Sequence, residues 1–341
     1  MGGLAKVDNP QMLLKFAVTL AKEIGLNSEE GIQKLSSDPD EQEAFRRIWW
    51  FTYNGCALLW QHNEDIIEFK DHNLFLPTLD QSKATYYGTE IMQNNQWFTP
   101  SNSISDFYSL RGIMCKITIQ VHKYVFEELC GHIKEGLYII GSIIGSLNQW
   151  KLSAKTYFDA QDELLKQSPN RDSEINWPIV FLRIHHLTQY INLINPRILK
   201  TILKKKPLKS ELFYSVALNA SMEINHILTN ILKVPNSFSS FDPYFALLIF
   251  ESAVILLISA KAYPYIESHT TSLELHCRVL QMHAKYLERE PTFYLILQKL
   301  KMLALEDLTL KYGEFKAANW HINSQKPTVG IKTMDIRQLI N

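Results

Sequence analysis

The stretch Phe45-Arg46-Arg47-Ile48-Trp49-Trp50-Phe51-Thr52-Tyr53-Asn54-Gly55 sets two arginines against three consecutive large aromatic side chains. The residues before it spell a helix start. Asp38 suits the N-cap, Pro39 the first helical position, and Glu41 is placed to close a capping box back onto Asp38. Asp40, Glu41 and Glu43 put negative charge at the positive end of the helix dipole. The helix is therefore predicted to begin at Pro39, with the aromatic run in its middle turns. Consecutive helical residues lie about 100° apart, so Trp49, Trp50 and Phe51 sweep more than half the circumference. A surface helix hides one stripe only. This helix is expected to be surrounded by neighbours, with the stems of Arg46 and Arg47 on apolar surface and their heads in water or paired with carboxylates. A membrane anchor does not fit, because Asn54, Gln61, His62, Asn63 and Glu64 soon interrupt the run.

Outward from this segment the helical period continues. Leu13, Phe16, Ala17, Leu20, Ala21 and Ile24 recur at spacings of three and four, and Gly25 stops the run. Downstream, helices are predicted over about 104–130, 133–147, 150–167, 177–194, 210–233, 243–262, 270–289 and 291–321. Gly136, Gly141 and Gly145 allow close helix approach or a break, and Asn195-Pro196 reads as a stop. Residues 65–103 read as irregular. No stretch alternates like a strand between hairpin turns. The expected class is all-α: a large irregular multi-helix bundle without a substantial sheet, formed by residues 1–325, with 326–341 a loosely held tail. Residues 245–260, FALLIFESAVILLISA, are nearly all apolar, yet number 16 and carry Glu251. A membrane span needs about 20 residues and tolerates a central carboxylate poorly, so a central bundle helix is expected.

Composition narrows the chemistry. Lys plus Arg equals Asp plus Glu at 35 each, so the chain has no overall pull toward DNA or anionic lipid and is not expected to grip nucleic acid or membrane itself. Cys56, Cys115, Cys130 and Cys277 stand apart in apolar surroundings, as reduced buried thiols would, with no C-x-x-C or Cys/His cluster for zinc. Residues 1–6 adjoin no apolar stretch, and Lys6 replaces the Ser or Thr that myristoylation at Gly2 needs. A carboxylate-bridged di-iron bundle needs two Glu-x-x-His motifs, and only Glu223-Ile224-Asn225-His226 fits. His185 and His186 are adjacent, so they point apart, and His276 and His283 sit two turns apart. H-E-x-x-H, G-x-S-x-G, a Walker A loop and G-x-G-x-x-G are all missing, and no enzyme activity is expected. Lys204-Lys205-Lys206, with Arg197, Lys200 and Lys209 nearby, is the one basic run. It reads as a localisation signal, as a patch for an acidic partner, or as a solvated connection, which Pro207 favours.

The block Phe45-Arg46-Arg47-Ile48-Trp49-Trp50-Phe51-Thr52-Tyr53, followed by Ile66-Ile67-Glu68-Phe69-Lys70-Asp71-His72-Asn73-Leu74-Phe75-Leu76-Pro77, resembles the regulatory middle homology region of fungal zinc-cluster transcription factors. Leu20-Ala21-Lys22-Glu23-Ile24-Gly25-Leu26 is similar to the helix preceding that block in the family. Leu182-Arg183-Ile184-His185-His186 through Asn195-Pro196, and Ser215-Val216-Ala217-Leu218-Asn219-Ala220, are similar to later helices, so the resemblance spans nearly the whole chain. Departures occur at Cys56-Ala57, where the family shows Asp-Arg, at Gln61 to Asp65, where it shows a Gly-Arg-Pro turn, and at Asn195, where it has a basic residue. The resemblance implies a nuclear regulatory domain that answers to protein partners of the transcription machinery, to self-association or to a small effector. It implies structural roles for Arg46, Arg47, Trp49, Trp50, Asp71 and Pro77. It implies no cofactor here, since zinc belongs to a six-cysteine N-terminal module that residues 1–44 do not supply. The alternative is an all-α small-molecule- or lipid-binding protein or enzyme, with a cavity lined by residues 136–147 and 245–260.

Overall fold

The computed structural model describes residues 10–59, 104–133, 135–167, 176–233 and 244–286, with 294, 295 and 298. Among them are nine α-helices: α1 (Pro10–Glu23), α2 (Glu29–Leu35), α3 (Pro39–Leu59), α4 (Ile104–Leu129), α5 (Gly136–Gln167), α6 (Trp177–Leu203), α7 (Tyr214–Ile231), α8 (Phe245–Ala262) and α9 (Glu267–Tyr286). A short 3₁₀ turn, Leu208–Ser210, precedes α7, and the described residues contain no strand. The all-α expectation holds. The expected elements over 65–103 and the tail lie outside the described residues, as does most of 291–321.

Local chemistry sets the first three helices. Gly25, at φ +87°, ends α1, and the Leu26 amide donates back to the Ala21 carbonyl at 2.8 Å. Ser28 caps α2, its Oγ accepting from the Gly31 amide at 3.1 Å. Asp38 caps α3 as expected, Oδ1 accepting from the Asp40 amide at 2.9 Å. The return bond differs: the Asp38 amide donates to Ser36 Oγ at 3.0 Å, so Ser36 takes the place assigned to Glu41. Val18, Ala21, Leu26, Ile32, Trp49, Trp50 and Tyr53 close around Cys115 of α4 as a small core of their own.

The larger core lies in α4–α9. Its axis is α6, which packs against α4, α5, α7 and α8 at once. That enclosure explains the first correction: α6 does not stop at Asn195-Pro196 but runs through it to Leu203. A proline inside a helix costs about 3 kcal/mol, while each large apolar side chain fully buried contributes about 1.5–3. Ile191, Leu193, Ile194 and Ile198, all buried around the proline, outweigh it. α8 is apolar all round and is covered by α6, α7 and α9, with Glu251 also buried. It is long and apolar enough to cross a membrane by length and composition, yet 78% of it is enclosed by the protein.

The second correction concerns glycine. α5 is one helix of 32 residues without a break near 148. A Cβ built on Gly141 or Gly145 meets nothing within 4 Å, so neither serves a close approach, whereas one built on Gly136 would stand 3.3 Å from Glu128 Oε2. The tight glycine is Gly31, where an added Cβ would stand 2.1 Å from the Gly25 carbonyl oxygen. Gly31→Ala is expected to destabilise by about 2–3 kcal/mol through backbone overlap. Gly145→Ala should stabilise by about 0.8–1 kcal/mol, the ordinary helix-propensity difference. Urea unfolding of the two variants distinguishes them by sign. A third correction is Cys130, which is exposed while Cys115 and Cys277 are buried.

Candidate functional site

The sequence-singled residues meet on α3. Arg46 grips Glu29 of α2 with two nitrogens: Nε donates to Oε1 at 2.8 Å and Nη2 to Oε2 at 2.7 Å. Arg46 Nη1 lies 3.5 Å from Glu43 Oε2, and Arg47 Nε donates to Glu43 Oε1 at 3.1 Å. These heads are largely withdrawn from water, and the hydrogen bonds that Arg46 donates to Glu29 hold its guanidinium pKa above the usual value. Such planar, bidentate pairs fix orientation as well as charge. Beneath them Trp49 is 1% and Trp50 4% exposed. Tyr53 stands edge-on to Trp50 at 5.4 Å and tilted to Trp49 at 6.2 Å, and burial pushes its phenol pKa up. Lys116 of α4 places Nζ 5.4 Å from the Trp50 ring.

Helix α3 is not wrapped on every side, however. Phe51 is 70% exposed and Ile48 50%. α1, α2 and α4 cover one face, and Phe51 points outward beside the Arg111 guanidinium, 5.8 Å away. The arrangement joins a three-helix layer to the main bundle. Its carboxylates, Glu29 and Glu43, are engaged by Arg46 and Arg47, and its thiol, Cys115, is buried. Asp71 and Pro77 lie outside the described residues.

In a second constellation His185 and His186 point apart, as expected, each to its own polar contact. α6 carries His185, His186, Thr188, Gln189, Tyr190, Asn192 and Asn195 in seamless burial. His185 Nε2 shares a hydrogen bond with Thr118 Oγ1 of α4 at 3.1 Å, with buried His122 close by. His186 Nε2 lies 3.0 Å from the Leu147 carbonyl; a carbonyl only accepts, so Nε2 carries the proton and Nδ1 is left as a bare acceptor. Its ring stacks on Trp150 at 5.0 Å. Tyr190 donates to Asn148 Oδ1 at 2.7 Å. On α9, His276 Nδ1 donates to the Ser272 carbonyl and Nε2 accepts from Ser252 Oγ of α8, both at 2.9 Å.

Burial disfavours the charged form of each ring. It pushes His185 down to about 3, with His122 adding to the effect, and His186 and His276 down to about 4. At neutral pH these are uncharged hydrogen-bonding groups whose partners are hydroxyls and carbonyls. That is the chemistry of interior cross-links, or of a site for a neutral polar group.

The remaining candidates separate. Glu223 receives Arg183 Nη2 at 3.3 Å and Lys151 Nζ at 3.2 Å, while His226 faces outward against Asn230. The single Glu-x-x-His is a surface pair. No group of three His, Cys, Asp or Glu residues is disposed for a metal among the described residues. α5 and α8, the two walls of the alternative cavity, both pack on α6 and make no extended contact with each other. Polar letters such as His-His-Leu-Thr-Gln-Tyr look like a solvent face in sequence, and only the four helices around α6 make them interior.

No protein-family model matches the chain, and no curated protein or solved structure matches it.

Proposed function

We propose that the chain is the regulatory domain of a fungal transcription regulator, acting in the nucleus on a separate zinc-cluster DNA-binding module. The observation that supports this reading is the α3 knot. The block that carries the resemblance, Arg46-Arg47-Ile48-Trp49-Trp50, forms a clamp in which Arg46 locks onto Glu29 over two buried indoles. The ion pair holds α2 on α3 within the small helical layer, and the indoles beneath it pack against Cys115 of α4, which belongs to the large bundle. A protein partner or small effector then regulates by favouring one packing of the two over another, and its leverage is its difference in affinity for them. The neutral interior groups of α6 and α4 supply hydrogen bonds on which such packings can differ. The reading assigns the chain no catalytic step and no metal.

The test is a reporter assay in yeast with the chain fused behind a heterologous DNA-binding module. Reporter output is expected to differ several-fold from that of the module alone, and to return to the module's level when Arg46 and Glu29 are both replaced by alanine. Identical output from fusion and module across growth conditions, together with a thermal shift on adding sterols or fatty acids, would instead support an all-α lipid-binding protein.

A further inference from the structure

The basic run divides once it is folded. Arg197 is spent on Glu211 at 3.0 Å and Lys200 on Glu128 at 2.8 Å, both partly buried pairs. Lys204, Lys205, Lys206 and Lys209 are exposed, and none pairs with a carboxylate among the described residues. They surround the end of α6, which closes by two amide bonds: Lys205 to the Ile202 carbonyl at 2.8 Å and Lys206 to the Thr201 carbonyl at 3.0 Å. This is the closure that usually places glycine at the left-handed position. Here Lys205 occupies it at φ 53°, a conformation that strains a residue bearing Cβ.

A distant segment completes the surface. Lys209 sets Nζ 5.3 Å over the ring of Tyr263, and Tyr263 and Tyr265 rings lie 6.3 Å apart at the α8–α9 turn. Tyr265 is 75% exposed and Leu212, beside the lysines, 70%; Leu203 is exposed as well. Three exposed lysines thus adjoin exposed Leu203 along the chain and a fourth, Lys209, meets the tyrosines, so basic, apolar and aromatic side chains come together here on a chain whose net charge is zero. We infer that this corner, Leu203–Leu212 with Tyr263 and Tyr265, docks an acidic peptide segment of a partner protein that also carries apolar side chains.

Charge complementarity fixes the sign of the partner and steers its approach. The exposed leucines and tyrosine fix its second property, because anchors of binding energy at protein interfaces are mostly buried aromatic and apolar groups. A nucleic acid would use the lysines but leave Leu203 and Leu212 in water, and about four phosphate contacts alone give weak, strongly salt-dependent binding. The inference stands on this surface and not on the regulatory reading.

The experiment uses the whole chain and a fluorescent peptide of alternating Asp and Leu or Phe, followed by anisotropy. Binding is expected in the micromolar range and weakened by salt. Lys204→Glu with Lys206→Glu should reduce affinity roughly tenfold, and Tyr265→Ala with Leu212→Ser roughly fivefold, at unchanged thermal midpoints. Lys205→Gly should raise the midpoint, by relieving the turn, while lowering affinity about two- to threefold. A merely structural lysine would not separate those two readouts. Equal binding of poly-Glu, tighter binding of duplex DNA or of phosphatidylserine vesicles, no peptide binding, or charge-reversed variants of undiminished affinity would each overturn the assignment.

Discussion

Lowering the pH from neutrality toward 4 is expected to unfold the protein. His185, His186 and His276 are held neutral by burial, at about 3, 4 and 4, against 6.5 for an exposed imidazole. Across that window the unfolded chain binds more protons than the native one. Stability therefore rises with pH there, and is lost as pH falls from the unfolded value through the folded ones. Each ring contributes about 1.4 kcal/mol per pH unit, so three contribute about 4. Two units of acidification remove roughly 8 kcal/mol, comparable to the whole stability of an ordinary domain. Circular dichroism against pH should show a cooperative loss of helix above pH 4. Asparagine at position 276 can keep the bond to the Ser272 carbonyl without titrating, so His276→Asn should flatten the pH dependence by about a third. A helix signal that persists unchanged at pH 4 would mean these rings are not sealed from water.

Trp49→Ala is the second large effect. The indole is enclosed by α1, α2 and α4 within a core of few large residues, and truncating such a side chain costs about 3–5 kcal/mol. Phe51→Ala, two positions on and exposed, should change stability by no more than about 0.5 kcal/mol. Urea midpoints of the two variants read the difference directly. A loss below about 1 kcal/mol at Trp49 would place its ring on a surface and detach the α3 block from any role in the core.

Where local signals are strong, the sequence was legible. Gly25 after the apolar period of α1 and Asp38-Pro39 before α3 satisfy orphan backbone groups by short-range bonds, and each boundary stands where those residues put it, as does the start of α6 at Trp177. Where the decisive energy comes from distant residues, the signals misled. Pro196 is a helix stop by local rules, but α6, pressed by four helices, continues through it to Leu203. Gly141 and Gly145 look like a close approach or a break, but an added Cβ meets no neighbour at either and the helix runs on through both. The aromatic run of α3 was expected to be enclosed all round, yet Trp49 and Trp50 face in while Phe51 faces water.

The candidate sites divide in the same way. Arg46, Arg47, Trp49 and Trp50 could be singled out from one contiguous block, because residues on adjacent turns of a helix share their surroundings. Their partner Glu29, and Thr118 opposite His185, could not, because 17 and 67 residues of chain separate those pairs.

By itself the amino-acid order determined the all-α class, most helix starts and the balance of charge, since these follow from periodicity, capping and composition along a few turns. Only the tertiary structure decided which side of each helix meets water, that a polar stretch of α6 becomes interior, and that Lys209 meets Tyr263 beside Tyr265. Burial and ion pairing depend on what packs from afar, and a helix carries no local record of its neighbours.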